Sequence, residues 1–266
     1  MFKTRLISGI VLVAAALVTI ISGGYVLFFT CLALSIIGAG EFYLAVKLRK
    51  PGVTFGLLDS ASYLCIVIFY ACLVFFDSSL SAAGIAAAFL ILMFIFVFTF
   101  PNTEPNDIFK AFFGFMYTGV MISFIYQTRM LDGGFFHVWL IFLSAWGCDT
   151  CAYCAGMLLG KHKMTPLLSP KKTIEGAIGG VLGAALLGVI YALITSGPIV
   201  QYLIICAVAA IISMVGDLAA SAIKRKEEIK DYGNLIPGHG GILDRFDSII
   251  FTAPVIYFLC RILMIG

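Results

Sequence analysis

The chain has 266 residues, of which 62% are hydrophobic and only 12% charged, whereas an average soluble domain is about 45–50% apolar and about 25% charged. That balance excludes an ordinary soluble domain, and a net charge of +3 gives no reason to expect nucleic acid as a partner. A spanning helix needs roughly 20 apolar residues to cross a hydrocarbon core about 30 Å thick, so this length holds about nine spans with short loops and no separate soluble domain.

The first apolar run begins at Leu6, behind Lys3 and Arg5. It has the outline of a signal peptide, but no small-residue cleavage site precedes a soluble mature chain, so a first membrane helix is expected. Apolar runs then fall at about 6–22, 25–46, 56–76, 80–100, 108–127, 135–159, 176–195, 198–223 and 246–265. With the N-terminus in the cytoplasm, all of the 17 lysines and arginines except Arg129 and Arg261 fall on the cytoplasmic side. Such an excess of Lys and Arg marks cytoplasmic loops, and a helix count changed by one would destroy it. The expected architecture is therefore all-α, a polytopic membrane protein with about nine transmembrane helices and a cytoplasmic N-terminus. Residues 1–266 form one membrane domain, with scaffold helices over 1–134 and the catalytic helices and cytoplasmic loops over 135–266. The outer connections 22–24, 77–79 and 196–198 are short and nearly bare of charge, so function faces the cytoplasm.

Three acids interrupt apolar runs: Glu41, Asp149 and Asp217. A charge at mid-bilayer costs at least about 2.5–3.5 kcal/mol, so each needs a partner or a task. On the eighth run Ser213, Asp217, Ser221 and Lys224 recur on one helical face. On the sixth, Asp149, Tyr153, Gly156 and Gly160 form a similar stripe, open either to a ligand or to close packing by another helix. Glu41 stands alone and is expected to be a hydrogen-bonding or snorkelling residue outside the site. Cys148, Cys151 and Cys154 have the outline of a metal clip, but they creep around a helix and no fourth ligand is near in sequence. They are expected to act as small hydrophobes.

Two polar segments carry the chemistry. The first runs from Lys161 through Ser169, Pro170, Lys171, Lys172 and Thr173 to Glu175 and Gly176. Hydroxyls and lysines at the start of the next helix suit a phosphate. The second, from Ser221 to Asp247, mixes both charges with glycines at 233, 238, 240 and 241. Membrane-headgroup anchoring would need only the basic residues. Glycines let backbone amides wrap an anion, and carboxylates without clustered Cys or His suit a hard cation such as Mg²⁺. Asp217, Asp244 and Asp247 could meet at such an ion, and His239 could either touch substrate or orient its turn.

These residues carry a resemblance. Ser221-Ala-Ile-Lys-Arg225, then Lys230-Asp-Tyr-Gly233, then Ile236-Pro-Gly-His-Gly-Gly-Ile-Leu-Asp-Arg-Phe-Asp247 resembles the signature of the phosphatidate cytidylyltransferase family. Asp149 to Tyr153 and Ser169 to Thr173 are similar to two upstream motifs of that family. The resemblance implies transfer of the cytidylyl group of CTP to phosphatidic acid, with release of CDP-diacylglycerol and pyrophosphate and a requirement for Mg²⁺, with a second cation left open. It implies Asp217, Asp244 and Asp247 at the metal and Lys230, Asp231 and Arg245 at the reacting phosphates. Asp149, Tyr153, Ser169, Lys171, Lys172, Thr173, Ser221, Lys224, Arg225 and His239 would contact substrate. The expected partners are CTP, phosphatidic acid and the lipid bilayer of a bacterial inner membrane, and a homodimer is compatible with such a chain.

Three rivals stand beside this expectation. A CTP-dependent lipid kinase would attack the γ-phosphate instead of the α-phosphate. An ion-coupled transporter would use Asp149 and Asp217 as ion sites, but transporters place their sites at the midplane between related halves. A structural scaffold would leave the aspartates and glycines without a task.

Overall fold

A computed structural model describes residues 2–49, 56–75, 81–238 and 240–264, with side chains from residue 8 onward. The expected outer connection 77–79, Lys50, His239 and the side chains of Lys3 and Arg5 lie outside the described residues. The described chain is nearly all helical: α1 (Phe2–Ser22), α2 (Gly24–Ala45), α3 (Leu57–Phe75), α4 (Ser81–Thr99), α5 (Pro105–Arg129), α6 (Gly134–Leu159), α7 (Ile174–Thr195), α8 (Ile199–Lys226) and α9 (Leu243–Met264). Among the described residues, eight helices, α2 to α9, are long and apolar enough to cross a bilayer, and Ser8–Ser22 of α1 forms a shorter apolar helix. Helix is the form that such runs must take, because hydrocarbon offers no partners for backbone amides and a helix satisfies its own. The protein is thus a polytopic helical membrane protein.

One element departs from the all-α expectation. The segment after α6, expected as a loop, forms an antiparallel hairpin of β1 (Lys163–Thr165) and β2 (Ser169–Thr173), with Lys163 opposite Thr173 and Thr165 opposite Ser169. Glu175, in the first turn of α7, fastens its base: the carboxylate accepts from the Lys161 amide at 3.0 Å, from the His162 amide at 3.2 Å, and pairs with His162 Nδ1 at 2.6 Å.

The chain divides into two compact units that interleave in sequence. The first comprises Met1–Ala15, Tyr25–Ser123 and Ile229–Asp244. Here α3 packs on α4 and α5, and α5 contains a π-helical turn over Phe115–Val120. Around that wide turn, the Tyr43 hydroxyl donates to the Ala111 carbonyl at 3.1 Å and the Ser35 hydroxyl to the Thr118 carbonyl at 3.1 Å. The segment 229–244 therefore belongs with helices of the first half of the chain, which a division at residue 134 would not suggest.

The second unit comprises Ala16–Gly24, Phe124–Glu228 and Arg245–Gly266. In it α6, α7 and α8 pack against one another. A Cβ at Gly180 would stand 2.9 Å from the Cys148 sulfur, and one at Gly183 would overlap the Cys151 sulfur. Small residues thus let α6 and α7 approach closely, where dispersion replaces the hydrophobic drive that lipid cannot supply. The Cys148 thiol also donates to the Ala210 carbonyl of α8 at 3.7 Å. These contacts account for Cys148 and Cys151 by packing, while Cys154 is exposed.

Candidate active site

The end of the second unit where α6 finishes and α7 begins contains a cavity of about 470 Å³. Helix α6 contributes Asp149, Tyr153 and Gly156, the hairpin Ser169, Lys171, Lys172 and Thr173, and α8 Asp217. These eight residues, all singled out from the sequence and spread over three segments, therefore line one recess. Stripes at three- and four-residue spacing bring this about, because such positions lie on one helical face. The lining also includes the small residues Ala152, Gly156, Gly176 and Ala177 and an apolar set, Met157, Met164 and Met214. No sequence signal separates those methionines from the other apolar residues of a membrane chain. Gly156 was visible in the α6 stripe.

Charge is concentrated there. Lys172 forms an ion pair with Asp217, and both side chains are about a quarter exposed. Asp149 lies within electrostatic reach of Asp217, Lys172 and Arg245. Asp247 lies within reach of Asp217, Lys224 and Asp149. Three carboxylates and three cations thus share one region. Gly216 makes this proximity feasible: a Cβ there would stand 2.8 Å from the Asp247 carbonyl, so α8 and α9 meet at the position beside Asp217. Carboxylates this crowded repel unless cations stand between them, and Lys172 already does so at Asp217.

Thr173 lines the recess, but it is buried and its hydroxyl oxygen also caps α7, accepting from the Gly176 amide at 3.1 Å. Ser221 and Arg225 lie on the last turns of α8, outside the described lining of the cavity.

Lys230, Asp231 and Asp244 belong to the first unit. Lys230 and Asp231 are exposed on the loop before α9. Asp244 is buried, and its Oδ2 accepts from the Tyr232 amide at 2.8 Å and the Gly241 amide at 2.9 Å. The expectation that Asp244 joins Asp217 and Asp247 at a metal thus meets a competing use of the same oxygen, closure of its own loop. Between Tyr232 and Gly241 the chain turns tightly, with the Ile236 amide donating to the Gly240 carbonyl at 2.8 Å and Gly238 and Gly240 at φ of 77° and 86°. His239 lies outside the described residues.

Sequence reading set Glu41 apart from the site. In the structure it is a buried acceptor for the backbone of the same loop: Oε1 takes the Ile242 amide and Oε2 the Leu243 amide, each at 2.9 Å. Nothing near Glu41 in sequence signals this, since its partners lie some two hundred residues away.

Membrane-length helices with a recess of carboxylates and lysines define a class: an integral membrane protein with a polar recess. Residues 3–263 match the Cytidylyltransferase family, and the chain belongs to that family. It is similar to the phosphatidate cytidylyltransferase of Bacillus subtilis, 41% identical over 147 residues that cover 54% of this chain and 55% of the relative. The enzymes of that name from Staphylococcus saprophyticus and Staphylococcus epidermidis are 39% and 40% identical over 145 residues, with the same coverage. The chain thus spans about half the length of the curated relatives it matches.

Proposed function

We propose that this protein transfers the cytidylyl group of CTP to phosphatidic acid, releasing CDP-diacylglycerol and pyrophosphate. The observation that carries the reading is the convergence of Asp149, Lys172 and Asp217, from three separate segments, on one recess within a chain of the Cytidylyltransferase family.

A phosphate monoester has a second pKa of about 6, so the lipid phosphate is already largely a dianion and needs no strong base to attack. Its oxygen forms a bond to the α-phosphorus of CTP, and the bond from that phosphorus to the bridging oxygen breaks, with the electron pair leaving on pyrophosphate. The protein's task is to hold the reactants and offset their charge. Lys171 and Lys172, on the hairpin wall, are suited to the triphosphate. Arg245 and Lys224 supply further positive charge near Asp149 and Asp247. Tyr153 and the methionines offer flat and apolar surface to the nucleoside.

Among the described residues no three acidic, histidine or cysteine side chains are gathered at one point. Mg²⁺, however, usually takes only one or two carboxylates together with substrate phosphates, and Asp217, with Asp149 and Asp247 in electrostatic reach, offers such hard oxygens. When bound, Mg²⁺ would offset charge on the triphosphate and polarise the α-phosphate. Asp217 and Asp247 are our assigned ligands, with Asp149 beside them, and Lys172 would transfer its pairing from Asp217 to phosphate. Lys230 and Asp231 are assigned to the reacting phosphates. The membrane is the bacterial inner membrane and the recess faces the cytoplasm, a reading supported by the Lys and Arg bias of one set of loops. That position lets CTP arrive from water and the lipid arrive sideways.

The test is turnover by the purified full chain in mixed micelles with phosphatidic acid and labelled CTP. CDP-diacylglycerol and pyrophosphate are expected, and EDTA should abolish their formation. CDP with a phosphorylated alcohol, and no CDP-lipid, would replace this reading with a lipid kinase.

A further inference from the structure

We propose that Glu41 is a positioning residue for the loop 229–244, fixing the backbone on which Lys230, Asp231 and the start of α9 are mounted. This rests on the cytidylyl-transfer reading, because the loop's charged residues are assigned there to the reacting phosphates.

The geometry is that of a socket built around one carboxylate. Each oxygen of Glu41 accepts one amide, from Ile242 and from Leu243, at 2.9 Å. These amides open α9 and have no acceptor within their own helix, so a carboxylate there also meets the positive end of the helix dipole. Two glycines enclose the same group: a Cβ at Gly233 would stand 2.6 Å from Oε1, and one at Gly241 would overlap Oε2. One turn earlier on α2, Gly38 admits the Leu243 side chain, whose Cδ2 would be 3.2 Å from an added Cβ. Asp244 closes the loop from the other side by holding the Tyr232 and Gly241 amides. The chain is therefore tied at 232, 241, 242 and 243, and Lys230 and Asp231 immediately precede the first tie. A carboxylate whose only task was to stabilise α2 would not need a socket of loop glycines.

The recess assigned to CTP is built from α6, the hairpin, α7 and α8 without Glu41. Loss of the anchor should therefore slow turnover while sparing nucleotide affinity. The experiment uses the full chain in micelles with three variants: E41Q, E41A and G241A. E41Q keeps the volume but offers a single acceptor oxygen and turns an NH₂ towards the second amide. A hydrogen bond to a charged group is worth about 1.5–3 kcal/mol, so kcat should fall roughly 10- to 150-fold, with KM for CTP within about twofold of wild type. G241A should reproduce the defect by pushing the carboxylate off its partners, and should add no further loss to E41A, where the methyl meets open space. Amide exchange at Ile242 and Leu243 should quicken in E41Q and in G241A.

Unchanged kcat in a folded E41Q, a loss expressed only as raised KM for CTP, or additive effects of E41A and G241A would each overturn the inference. Absence of CDP-diacylglycerol with the wild-type chain would instead remove the cytidylyl-transfer reading, and unchanged exchange at 242 and 243 in E41Q would still overturn the anchoring by itself.

Discussion

The recess of the second unit and the loop 229–244 of the first are both built on carboxylates, and they use them in opposite ways. In the recess, Asp217 faces Lys172, and Asp149 and Asp247 lie in reach of Asp217 and of further cations. In the loop, Glu41 accepts the adjacent amides of Ile242 and Leu243, and Asp244 accepts those of Tyr232 and Gly241, nine residues apart. A carboxylate opposite a mobile ammonium can exchange that partner for a metal or a phosphate counter-charge. One that accepts two buried amides is committed to shape, because leaving either amide unsatisfied costs about 1–3 kcal/mol. Residue type therefore does not distinguish chemistry from architecture here; the partner does.

The contrast can be broken most sharply at Asp217. Its replacement by Asn should lower CDP-diacylglycerol formation at least about a hundredfold, as loss of one electrostatic element at a reacting centre does. Thermal unfolding should barely move, because a partly exposed ion pair contributes roughly 0–1 kcal/mol. At Lys172, substitution by Ala should cost about 10- to 150-fold in kcat/KM for CTP, the worth of a charged hydrogen bond, and Arg should restore part of it. Steady-state kinetics across CTP concentrations would measure both.

Asp244→Ala is the complementary case. It should cost about 2 kcal/mol or more in stability through the orphaned Tyr232 and Gly241 amides, read by thermal unfolding in detergent. A D244A protein of wild-type stability that had lost its response to Mg²⁺ would move Asp244 to the metal and erase the contrast. Smallest of all, Cys154→Ser should leave both activity and stability unchanged within about 0.5 kcal/mol, because the side chain is exposed. Gly180→Ala, at the α6–α7 contact, should cost about 1–3 kcal/mol by overpacking against Cys148.

Much of this was legible before any coordinates. The nine runs expected from hydropathy match helices to within a few residues, since length and apolarity alone fix whether a segment can satisfy its backbone in lipid. The α6 and α8 stripes were readable because helical spacing places residues on one face whatever surrounds them. The hairpin was not. Its strands are only three and five residues long, and Glu175 from the following helix fastens the residues just before them, a contact no local pattern encodes.

The sequence by itself determined that this protein spans a membrane, that its polar chemistry lies in a few segments, and that Asp149, Lys172 and Asp217 belong to them. These are properties of periodicity and composition, which act locally. Tertiary structure alone decided which acids meet cations and which meet amides. It set Cys148 and Cys151 against glycines and made Glu41 a partner of Ile242 and Leu243. Such assignments depend on which donor comes within 3 Å of which acceptor across two hundred residues of chain, and that distance is set by helix packing.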